Sequence, residues 1–343
     1  MNVVKPLMEL LIMKKAMLFG LVILSIILAG IGCDDKDDIP ADQVTVQLKW
    51  IHQAQFAGFY VAEQNDLYAE ENIDISLIPS GPDKSPELIA NNLMNGEIDF
   101  AVVGGDQLLM WRSEGKPIVA IAVIFQKNPY GYMTLKDSGI QRPQDLVGKR
   151  VMVAPDAEVQ HQALLKKLEI AASTIETVPY TRDTEPLISG QIDAHLIYRT
   201  GTGLAYDEES LEMGFIWVGD YGIRLYADTI VTSEALIQQN PELVERFLAA
   251  TLAGWRNAIE NQTEAIDITL QYDPSLDRDT QTLMLTMQTP LIHTGENPIG
   301  WMKGEVWQET QQILLDGNLL SHMVDVEKTY TMQFLNKIYN VSD

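Results

Sequence analysis

The sequence predicts an α/β protein of two similar lobes, each built on a mostly parallel sheet flanked by helices, with a ligand cleft between the lobes. Two observations lead to this fold class. The pattern Leu-x-x-Gly-x-Ile-Asp occurs twice, at 93–99 and again at 187–193. The elements around the two copies also follow one another in the same order, as strand, helix, strand, helix, glycine and strand. Alternating strands and helices indicate right-handed crossovers and parallel sheets.

The first copy begins with the alternating, β-branched stretch 44–50, which predicts a strand. Apolar residues at helical spacing predict a helix over 56–72, and 73–81 alternates again as a strand. A helix is predicted over 85–96, with Pro86 in its first turn and Gly96 just past its end. The apolar run that follows, to Gly105, predicts a short strand.

The second copy repeats these elements. Strands are predicted at 148–155 and 175–181, with a helix over 157–170 between them. A helical turn over 183–189 ends at Gly190, and the next stretch predicts a strand. Because Gly-x-Ile-Asp alone could recur by chance at a helix-to-strand turn, the prediction of two related lobes depends on the repeated order of the flanking elements.

Two extended stretches, near 119–135 and 219–233, predict two crossings between the lobes. The C-terminal third is largely helical, beginning with an amphipathic helix over 240–261, and is predicted to pack around the first lobe. The predicted division assigns 43–128 and 229–343 to lobe one and 129–228 to lobe two.

The N-terminal stretch is predicted to be a processed segment. Two lysines precede the apolar run 16–29, which is short for a membrane span and suits a secretory signal, here residues 1–32. Cys33, the only cysteine of the chain, follows this run at the position of a lipidated cysteine, although Gly30 stands where Leu or Val is usual. Ordinary cleavage and a membrane anchor are the alternatives, and Met13 is an alternative start. Residues 33–42 predict an acidic tether.

The formal net charge is −24, so the chain repels nucleic acid and no nucleic-acid partner is expected. No metal or catalytic signature of the usual kinds occurs, and no cofactor is expected. The five histidines are scattered: His161 is predicted to be solvated, His195 to be structural, and His52, at a strand end, to be the one with a chance of touching ligand.

Ligands of parallel α/β sheets bind at the carboxyl ends of the strands, so residues after each strand and in the crossings are the candidate ligand-binding residues. Aromatic rings could stack on a flat ligand, amides and carboxylates could hydrogen-bond its nitrogens, and glycines let backbone approach closely. The predicted ligand-binding residues are Trp50, Gln53, Gln55, Phe56, Tyr60, Asp83, Gly104, Gly105, Asp106, Gln126, Tyr130, Glu158, Tyr198, Asp220 and Tyr221.

Four stretches of the sequence, within 46–83, 96–109, 119–151 and 240–260, carry a resemblance to a known family. Together they resemble the periplasmic substrate-binding proteins of ABC importers, in the group related to the thiamine-pyrimidine synthases. This resemblance spans about residues 43–335 and implies a two-lobed, type II-like binding-protein fold. It also implies that 104–106 forms the glycine-rich ligand loop, and that thiamine pyrimidine precursors such as formylaminopyrimidine or hydroxymethylpyrimidine are ligands.

The synthase branch of this family carries a histidine a few residues after the first-strand tryptophan and a cluster of cysteines. This sequence has Phe56 at that position and no cysteine in its folded part, which favours a binding protein over an enzyme.

The resemblance and the residues together predict a lipid-anchored solute-binding protein on the periplasmic or outer face of a bacterial membrane. It is expected to be a monomer that delivers a flat heterocycle to an ABC permease. The alternatives are a binder of riboflavin or of another aromatic or sulfonate solute, a pyrimidine synthase-like enzyme, and a ligand-sensing module. The absence of an arginine cluster at the strand ends favours a neutral or cationic ring over an anion.

Overall fold

A computed structural model describes residues 40–81, 85–181, 183–201 and 212–341. These residues form two five-stranded sheets. The ten strands, in chain order, are β1 (Asp42–Gln47), β2 (Ile73–Ile78), β3 (Phe100–Val103), β4 (Ile118–Phe125), β5 (Tyr130–Leu135), β6 (Arg150–Val153), β7 (Glu176–Val178), β8 (Ala194–Tyr198), β9 (Met213–Trp217) and β10 (Ala227–Ser233).

The strand order is β2-β1-β3-β10-β4 in the first sheet and β7-β6-β8-β5-β9 in the second. In each sheet one strand, the fourth in this order, runs antiparallel to its neighbours, while the first three are parallel. The predicted fold class is therefore confirmed: both sheets are mostly parallel, and the second repeats the first strand for strand. The antiparallel strands β5 and β10 are the ones that the chain forms directly after each crossing between the sheets.

The helices of the described residues are α1 (Ala57–Gln64), α2 (Leu67–Glu70), α3 (Pro86–Asn95), α4 (Gly105–Ser113), α5 (Glu158–Lys167), α6 (Glu185–Ile188), α7 (Glu234–Gln239), α8 (Pro241–Glu260), α9 (Gln262–Tyr272), α10 (Arg278–Ile292), α11 (Gly304–Asp316) and α12 (Gln333–Ile338). In the part of the chain that the structure describes, none of them is long and apolar enough to cross a bilayer.

The helix predicted over 56–72 is two helices, because Asp66 between α1 and α2 adopts a left-handed conformation, with φ of +58°. Ser85 caps α3 by accepting from the Glu87 N–H. Pro86 lies in the first turn of α3 and Gly96 ends it with φ of +71°, as the sequence predicts. Strand β9 is not predicted by the sequence pattern; it is a half-buried edge strand that contains Gly214.

The repeated motif has the same structural task in both sheets. Asp99 Oδ2 accepts a hydrogen bond of 2.8 Å from the Thr45 N–H of β1, and Asp193 Oδ2 accepts one of 2.8 Å from the Arg150 N–H of β6. The backbone N–H of each aspartate donates in return to the carbonyl of the same partner. Each aspartate thus joins the chain just before the third strand of its sheet to the central parallel strand, so the repetition is architectural.

The C-terminal helices cover the first sheet. The apolar face of α8 packs against α1 and the sheet, with Phe247 stacked on Phe100 at 3.8 Å between ring centroids. Helix α11 packs on α4 of the first sheet and also contacts α5 of the second, which the sequence analysis did not foresee.

Candidate functional site

The carboxyl ends of the parallel strands of both sheets meet at one cluster of polar and aromatic side chains. Lys49 follows β1, and Asp228 stands near the start of the antiparallel strand β10, so both lie at the same edge of the first sheet. Tyr198 ends β8 and Tyr130 begins the antiparallel β5, which places both rings at the corresponding edge of the second sheet. The connection topology therefore brings residues from four strands together.

Asp228 is the centre of this cluster. Its side chain is 2% exposed, and it is contacted by the Lys49 ammonium at 3.5 Å, by Gln55 Nε2 at 2.7 Å and by the Tyr198 hydroxyl at 3.4 Å. Burial raises the pKa of the Asp228 carboxyl, and these three partners oppose that rise by favouring the charged form. Its φ of +51° is uncommon for a residue other than glycine, and aspartate is among the side chains that tolerate it best.

Aromatic rings surround the cation of the cluster. The Lys49 ammonium lies 5.3 Å from the ring centroid of Tyr198 and 5.9 Å from that of Tyr130. The Tyr198 ring meets Tyr130 and Phe125 edge to face, at 5.1 Å and 5.8 Å between centroids. The cluster therefore combines a cation, a carboxylate and aromatic rings, most of them buried.

Two glutamines extend the cluster away from Asp228. Gln53 precedes the short 3-10 helix Ala54–Phe56, and Gln55 lies within it. Gln53 Nε2 donates to Gln55 Oε1 over 2.6 Å, while Gln55 donates to Asp228, so the two amides form a chain that begins at the carboxylate. Gln53, Gln55, Tyr130 and Tyr198 were predicted as ligand-binding residues, and the structure brings these four together.

Other predicted residues lie in the protein interior or are engaged in other contacts. Phe56 and Tyr60 are fully buried in the core. The Tyr60 ring stacks on Tyr272 at 4.0 Å, and its hydroxyl lies 3.0 Å from Nδ1 of the half-buried His52. Burial lowers the pKa of His52, and Asp273 partly opposes this change.

The glycine-rich loop 104–106 follows β3 at the carboxyl end of that strand. Gly104 precedes α4, and its neighbour Gly105 donates from its N–H to the Tyr226 carbonyl of the second crossing, over 2.9 Å. A Cβ at Gly104 would meet Oδ1 of the Asp106 side chain, so a larger residue there would require that carboxylate to move. Trp50 is half-buried beside Lys49, and its carbonyl accepts from Ser80 N over 2.9 Å.

The remaining predicted side chains are outside the cluster or outside the described residues. Gln126 donates to the carbonyls of Val123 and Trp301, at 2.8 and 2.9 Å. Glu158 and Asp220 are exposed, and Tyr221 is half-buried. Asp83 and Cys33 lie outside the described residues.

Sequence reasoning missed Lys49 and Asp228, although the strand-end rule that selected Trp50 also covers Lys49. It also missed two buried polar atoms near the carboxyl ends of β6 and β8, Gln160 Oε1 and Thr200 Oγ1, which have no hydrogen-bond partner within the described ranges. They stand two residues from the predicted Glu158 and Tyr198, respectively.

The prediction that His161 is solvated is wrong. This side chain is 1% exposed, and its Nδ1 lies 2.7 Å from the Tyr132 hydroxyl, because α5 turns it toward the second sheet. Burial lowers the pKa of His161, and the charge of Glu158 opposes this change.

His195 is fully buried, and burial lowers its pKa to about 4, so it is neutral at pH 7. No group of three or more His, Cys, Asp or Glu residues in the described ranges is arranged to hold a metal ion.

Curated relatives match most of the chain. It is 27% identical over 304 residues to the riboflavin-binding protein RibY of Chloroflexus aurantiacus, a match that covers 85% of this chain and 86% of that protein. It is 25% identical over 314 residues to the formylaminopyrimidine-binding protein of Halalkalibacterium halodurans, covering 87% and 92%. It is also 25% identical over 307 residues to a 4-amino-5-hydroxymethyl-2-methylpyrimidine phosphate synthase of Legionella pneumophila, covering 85% and 92%.

The fold is shared with solved binding proteins. The periplasmic aliphatic sulphonate-binding protein SsuA of Escherichia coli superposes with a TM-score of 0.67 at 15% identity, over 84% of this chain and 91% of that one. The NMT1/THI5-like family profile matches residues 53–265, which is more than half of the sequence. The chain therefore belongs to the NMT1/THI5-like family.

Proposed function

We propose that this protein is the solute-binding component of an ABC importer and that it captures a small flat heterocycle, with a thiamine pyrimidine precursor as the first candidate. The observation that carries the proposal is the cluster around Asp228, to which the first sheet contributes Lys49 and Asp228 and the second contributes Tyr198. A ligand in contact with both sides favours a closed arrangement over an open one, which is the requirement for a binding-protein clamp.

The moving parts in this proposal are the two predicted lobes, 43–128 with 229–343, and 129–228. The crossings between the sheets run over 126–129 and 222–226. They are joined to each other, since Asn128 Nδ2 donates to the Leu225 carbonyl over 3.2 Å. Rotation at these two short segments is the proposed hinge, and an ABC permease is the proposed partner that recognises the closed form.

The chemistry of the cluster supports a flat, uncharged or cationic heterocycle. Tyrosine rings supply stacking or edge contacts, and glutamine amides with a lysine supply neutral and cationic hydrogen-bonding groups. The Lys49 ammonium is engaged by the Asp228 carboxylate, so the pair carries little net charge to attract an anion such as a sulfonate. The relative named for formylaminopyrimidine binding supports a pyrimidine.

Riboflavin is the second candidate. The relative named as a riboflavin-binding protein is 27% identical over most of both chains. The isoalloxazine of riboflavin also contains a pyrimidine ring, so the same polar groups could serve both ligands.

We propose capture without chemistry, although a relative is named as a pyrimidine phosphate synthase and one fold can host both activities. The single cysteine of the chain, Cys33, lies ahead of the fold, so no cysteine cluster is available. Incubation of the purified protein with pyridoxal phosphate should yield no pyrimidine product; turnover would establish the enzyme alternative. A complex with a sensor kinase in place of a permease would establish the sensing alternative.

The proposed location is the periplasmic or outer face of a bacterial membrane, with the protein monomeric. Residues 1–32 act as a signal peptide, Cys33 carries lipid, and 33–42 tethers the fold. Growth with an alkyne fatty acid should label the wild-type protein and not Cys33→Ala, which should leave the membrane fraction. Equal labelling of both proteins, or none of either, would contradict this assignment.

The decisive experiment is native mass spectrometry of the protein purified from its source, followed by calorimetric titration of the released compound. Titrations with 4-amino-5-hydroxymethyl-2-methylpyrimidine, formylaminopyrimidine, riboflavin and an alkanesulfonate rank the ligand classes. Tight binding of the sulfonate alone would overturn the heterocycle proposal.

A further inference from the structure

The chain of amide hydrogen bonds that starts at Asp228 has a fixed direction. An ionised carboxylate can only accept, so the atom of Gln55 that lies 2.7 Å from Asp228 Oδ2 is its amide nitrogen. Gln55 Oε1 is then left to face Gln53, which must present its own amide nitrogen, and does so over 2.6 Å. The remaining polar atom of this chain is Gln53 Oε1, an acceptor.

We infer that Asp228 is a positioning residue that sets the amide polarity of Gln53, so that Gln53 Oε1 accepts from a ring or exocyclic N–H of the bound heterocycle. This inference rests on the proposed function, which it deepens by naming a group that the ligand must carry. In the described part of the chain no donor is hydrogen-bonded to Gln53 Oε1. Gln53 is 8% exposed and its Oε1 is not fully enclosed by protein, so a bound ligand can reach this oxygen in place of water.

The backbone around the two glutamines is held on both sides, which keeps the side chains in register. Gln281 Oε1 accepts from the Ala54 N–H and Gln288 Nε2 donates to the Ala54 carbonyl, both over 2.7 Å. The Gln53 N–H donates to the Tyr60 hydroxyl over 3.4 Å. Turning over one amide would therefore place two acceptors or two donors face to face in a buried site, at the cost of an unsatisfied polar group.

Lys49 complements this acceptor. Its ammonium has three N–H groups, and it contacts the same Asp228 carboxylate from the other oxygen. The cluster thus offers a donor and an acceptor that are both fixed by one carboxylate. The pyrimidine portion of an aminopyrimidine or of a flavin has acceptor atoms beside N–H groups, which suits such a pair.

Matched ligands test what Gln53 presents. We would titrate the full-length fold with 4-amino-5-hydroxymethyl-2-methylpyrimidine against its 4-dimethylamino analogue, and with riboflavin against 3-methylriboflavin. For the ligand that binds, methylation should weaken binding to the wild type by roughly 10- to 100-fold, because Gln53 Oε1 then has no donor. Equal affinity for the N–H and N-methyl forms of that ligand would overturn the inference.

Variants separate polarity from pocket shape. The side-chain amide introduced by Asp228→Asn can turn its nitrogen to Gln55, which lets both glutamine amides turn over. Gln53 can then present Nε2 as well as Oε1 to the ligand, so this variant should show less discrimination against the methylated ligand. Gln53→Glu should bind poorly, because its carboxylate faces the oxygen of Gln55. In the double variant the hydrogen bonds are reversed but matched: the amide nitrogen at position 228 donates to Gln55 Oε1, and Gln55 Nε2 donates to the carboxylate at position 53. The second oxygen of that carboxylate is again an acceptor for the ligand, so the double variant should recover both affinity and discrimination. Failure of the double variant to improve on Gln53→Glu would contradict the inference.

A ligand-free measurement keeps this inference independent of the proposed ligand. Melting temperatures of the wild type, the two single variants and the double variant form a cycle. Gln53→Glu should lower the melting temperature in the wild type and lower it much less, or not at all, beside Asp228→Asn. If Gln53→Glu lowers the melting temperature equally in the wild type and in Asp228→Asn, then Asp228 does not fix the amide orientation of Gln53, and this conclusion holds even if no probe ligand binds. Absence of binding by every probe, with the coupling present, would instead refute the proposed ligand class alone.

Discussion

Tyr198 of the second sheet donates a hydrogen bond from its hydroxyl to Asp228 of the first sheet, over 3.4 Å. Both side chains are buried, with 8% and 2% of their surfaces exposed. The contact is a direct polar link between the two sheets, made at the centre of the candidate ligand site. Its strength therefore bears on closure as well as on binding.

We expect Tyr198→Phe to weaken ligand binding by roughly tenfold, because it removes one donor from the buried Asp228 while keeping the aromatic ring. The ligand-free variant should also be more open in small-angle X-ray scattering. Tyr132→Phe is the matched control, since the Tyr132 hydroxyl contacts His161 of α5, a helix that belongs to the second sheet's own side of the cluster. If both variants bind and scatter as the wild type does, the contact does not contribute to closure.

Lys49→Met is expected to reduce the free energy of unfolding by about 2 kcal/mol at neutral pH, because it leaves Asp228 buried without its cation. The pKa of Asp228 is raised by burial, so protonation of this group stabilises the fold at low pH and that stabilisation is lost as pH rises through the folded-state pKa. Loss of Lys49 raises this pKa further. The difference in free energy of unfolding between the wild type and Lys49→Met, measured by urea unfolding, should therefore grow as the pH rises.

The exposed pair of Lys337 and Glu245 provides the control for this series. Lys337→Met should change stability by less than about 0.5 kcal/mol at any pH, as expected for surface ion pairs. A difference between Lys49→Met and wild type that does not vary with pH would show that Asp228 does not titrate against Lys49.

Asp99 and Asp193 accept the same hydrogen bond in the two sheets, yet their pKa values move in opposite directions. Burial raises the pKa of Asp99, and the Thr45 N–H offsets only part of the rise. Burial also acts to raise the pKa of Asp193, but hydrogen bonds and charge from Arg150 outweigh it and lower the pKa. Substitution of either residue by alanine should cost about 1–2 kcal/mol through the unpaired backbone N–H.

Isosteric asparagine variants should reveal the opposite signs. Relative to Asp193→Asn, the wild type should lose stability as pH falls through the lowered pKa of Asp193. Relative to Asp99→Asn, it should lose stability as pH rises through the raised pKa of Asp99. Urea unfolding between about pH 3 and 7 measures both differences. If the stability difference between wild type and variant changes with pH in the same direction for Asp99→Asn and Asp193→Asn, the opposite pKa shifts of the two aspartates are disproved.

Gly254→Ala should destabilise the fold by about 2–3 kcal/mol, because a Cβ there would overlap the Gly58 carbonyl oxygen and press on Ala62 of α1. Since α1 follows the segment that carries Gln53 and Gln55, ligand affinity should fall as well. Gly219→Ala, where no atom lies within 4 Å of an added Cβ, should leave both stability and affinity unchanged. Thermal unfolding and calorimetry of the two variants decide the matter.

The sequence pattern was sufficient for the order of most elements, because each strand and helix has its own periodicity and the Asp99 and Asp193 motifs are repeated with the same local geometry. It was insufficient for β9, an edge strand that is half-buried along most of its length and contains an internal glycine. Within the site, the strand-end rule selects Gln53, Gln55, Tyr130 and Tyr198 because the carboxyl ends of parallel strands converge.

The strand-end rule does not single out Lys49 or Asp228 as site residues. The importance of Lys49 depends on rings from the other sheet, and Asp228 precedes most of an antiparallel strand whose place in the first sheet is set by a crossing far along the chain. A left-handed, fully buried aspartate has no signature in local composition. Likewise, Phe56 and Tyr60 look like strand-end aromatics in the sequence. The packing of α1 against α8 and α9 directs Tyr60 into the core, and the packing of the 3-10 helix Ala54–Phe56 against α9 and α10 directs Phe56 there.

Each crossing of the chain ends in a strand that lies between two strands of the sheet it enters, as β5 and β10 do. Both ends of every connecting segment are therefore fastened by backbone hydrogen bonds, and only a few peptide units between them have free torsions. Because Asn128 of one segment is hydrogen-bonded to Leu225 of the other, the two segments move together, and the lobes can rotate about a single axis only. We expect the domain motion of this protein to be described by one angle, so that a single distance between two labels, one per lobe, reports its whole conformational state.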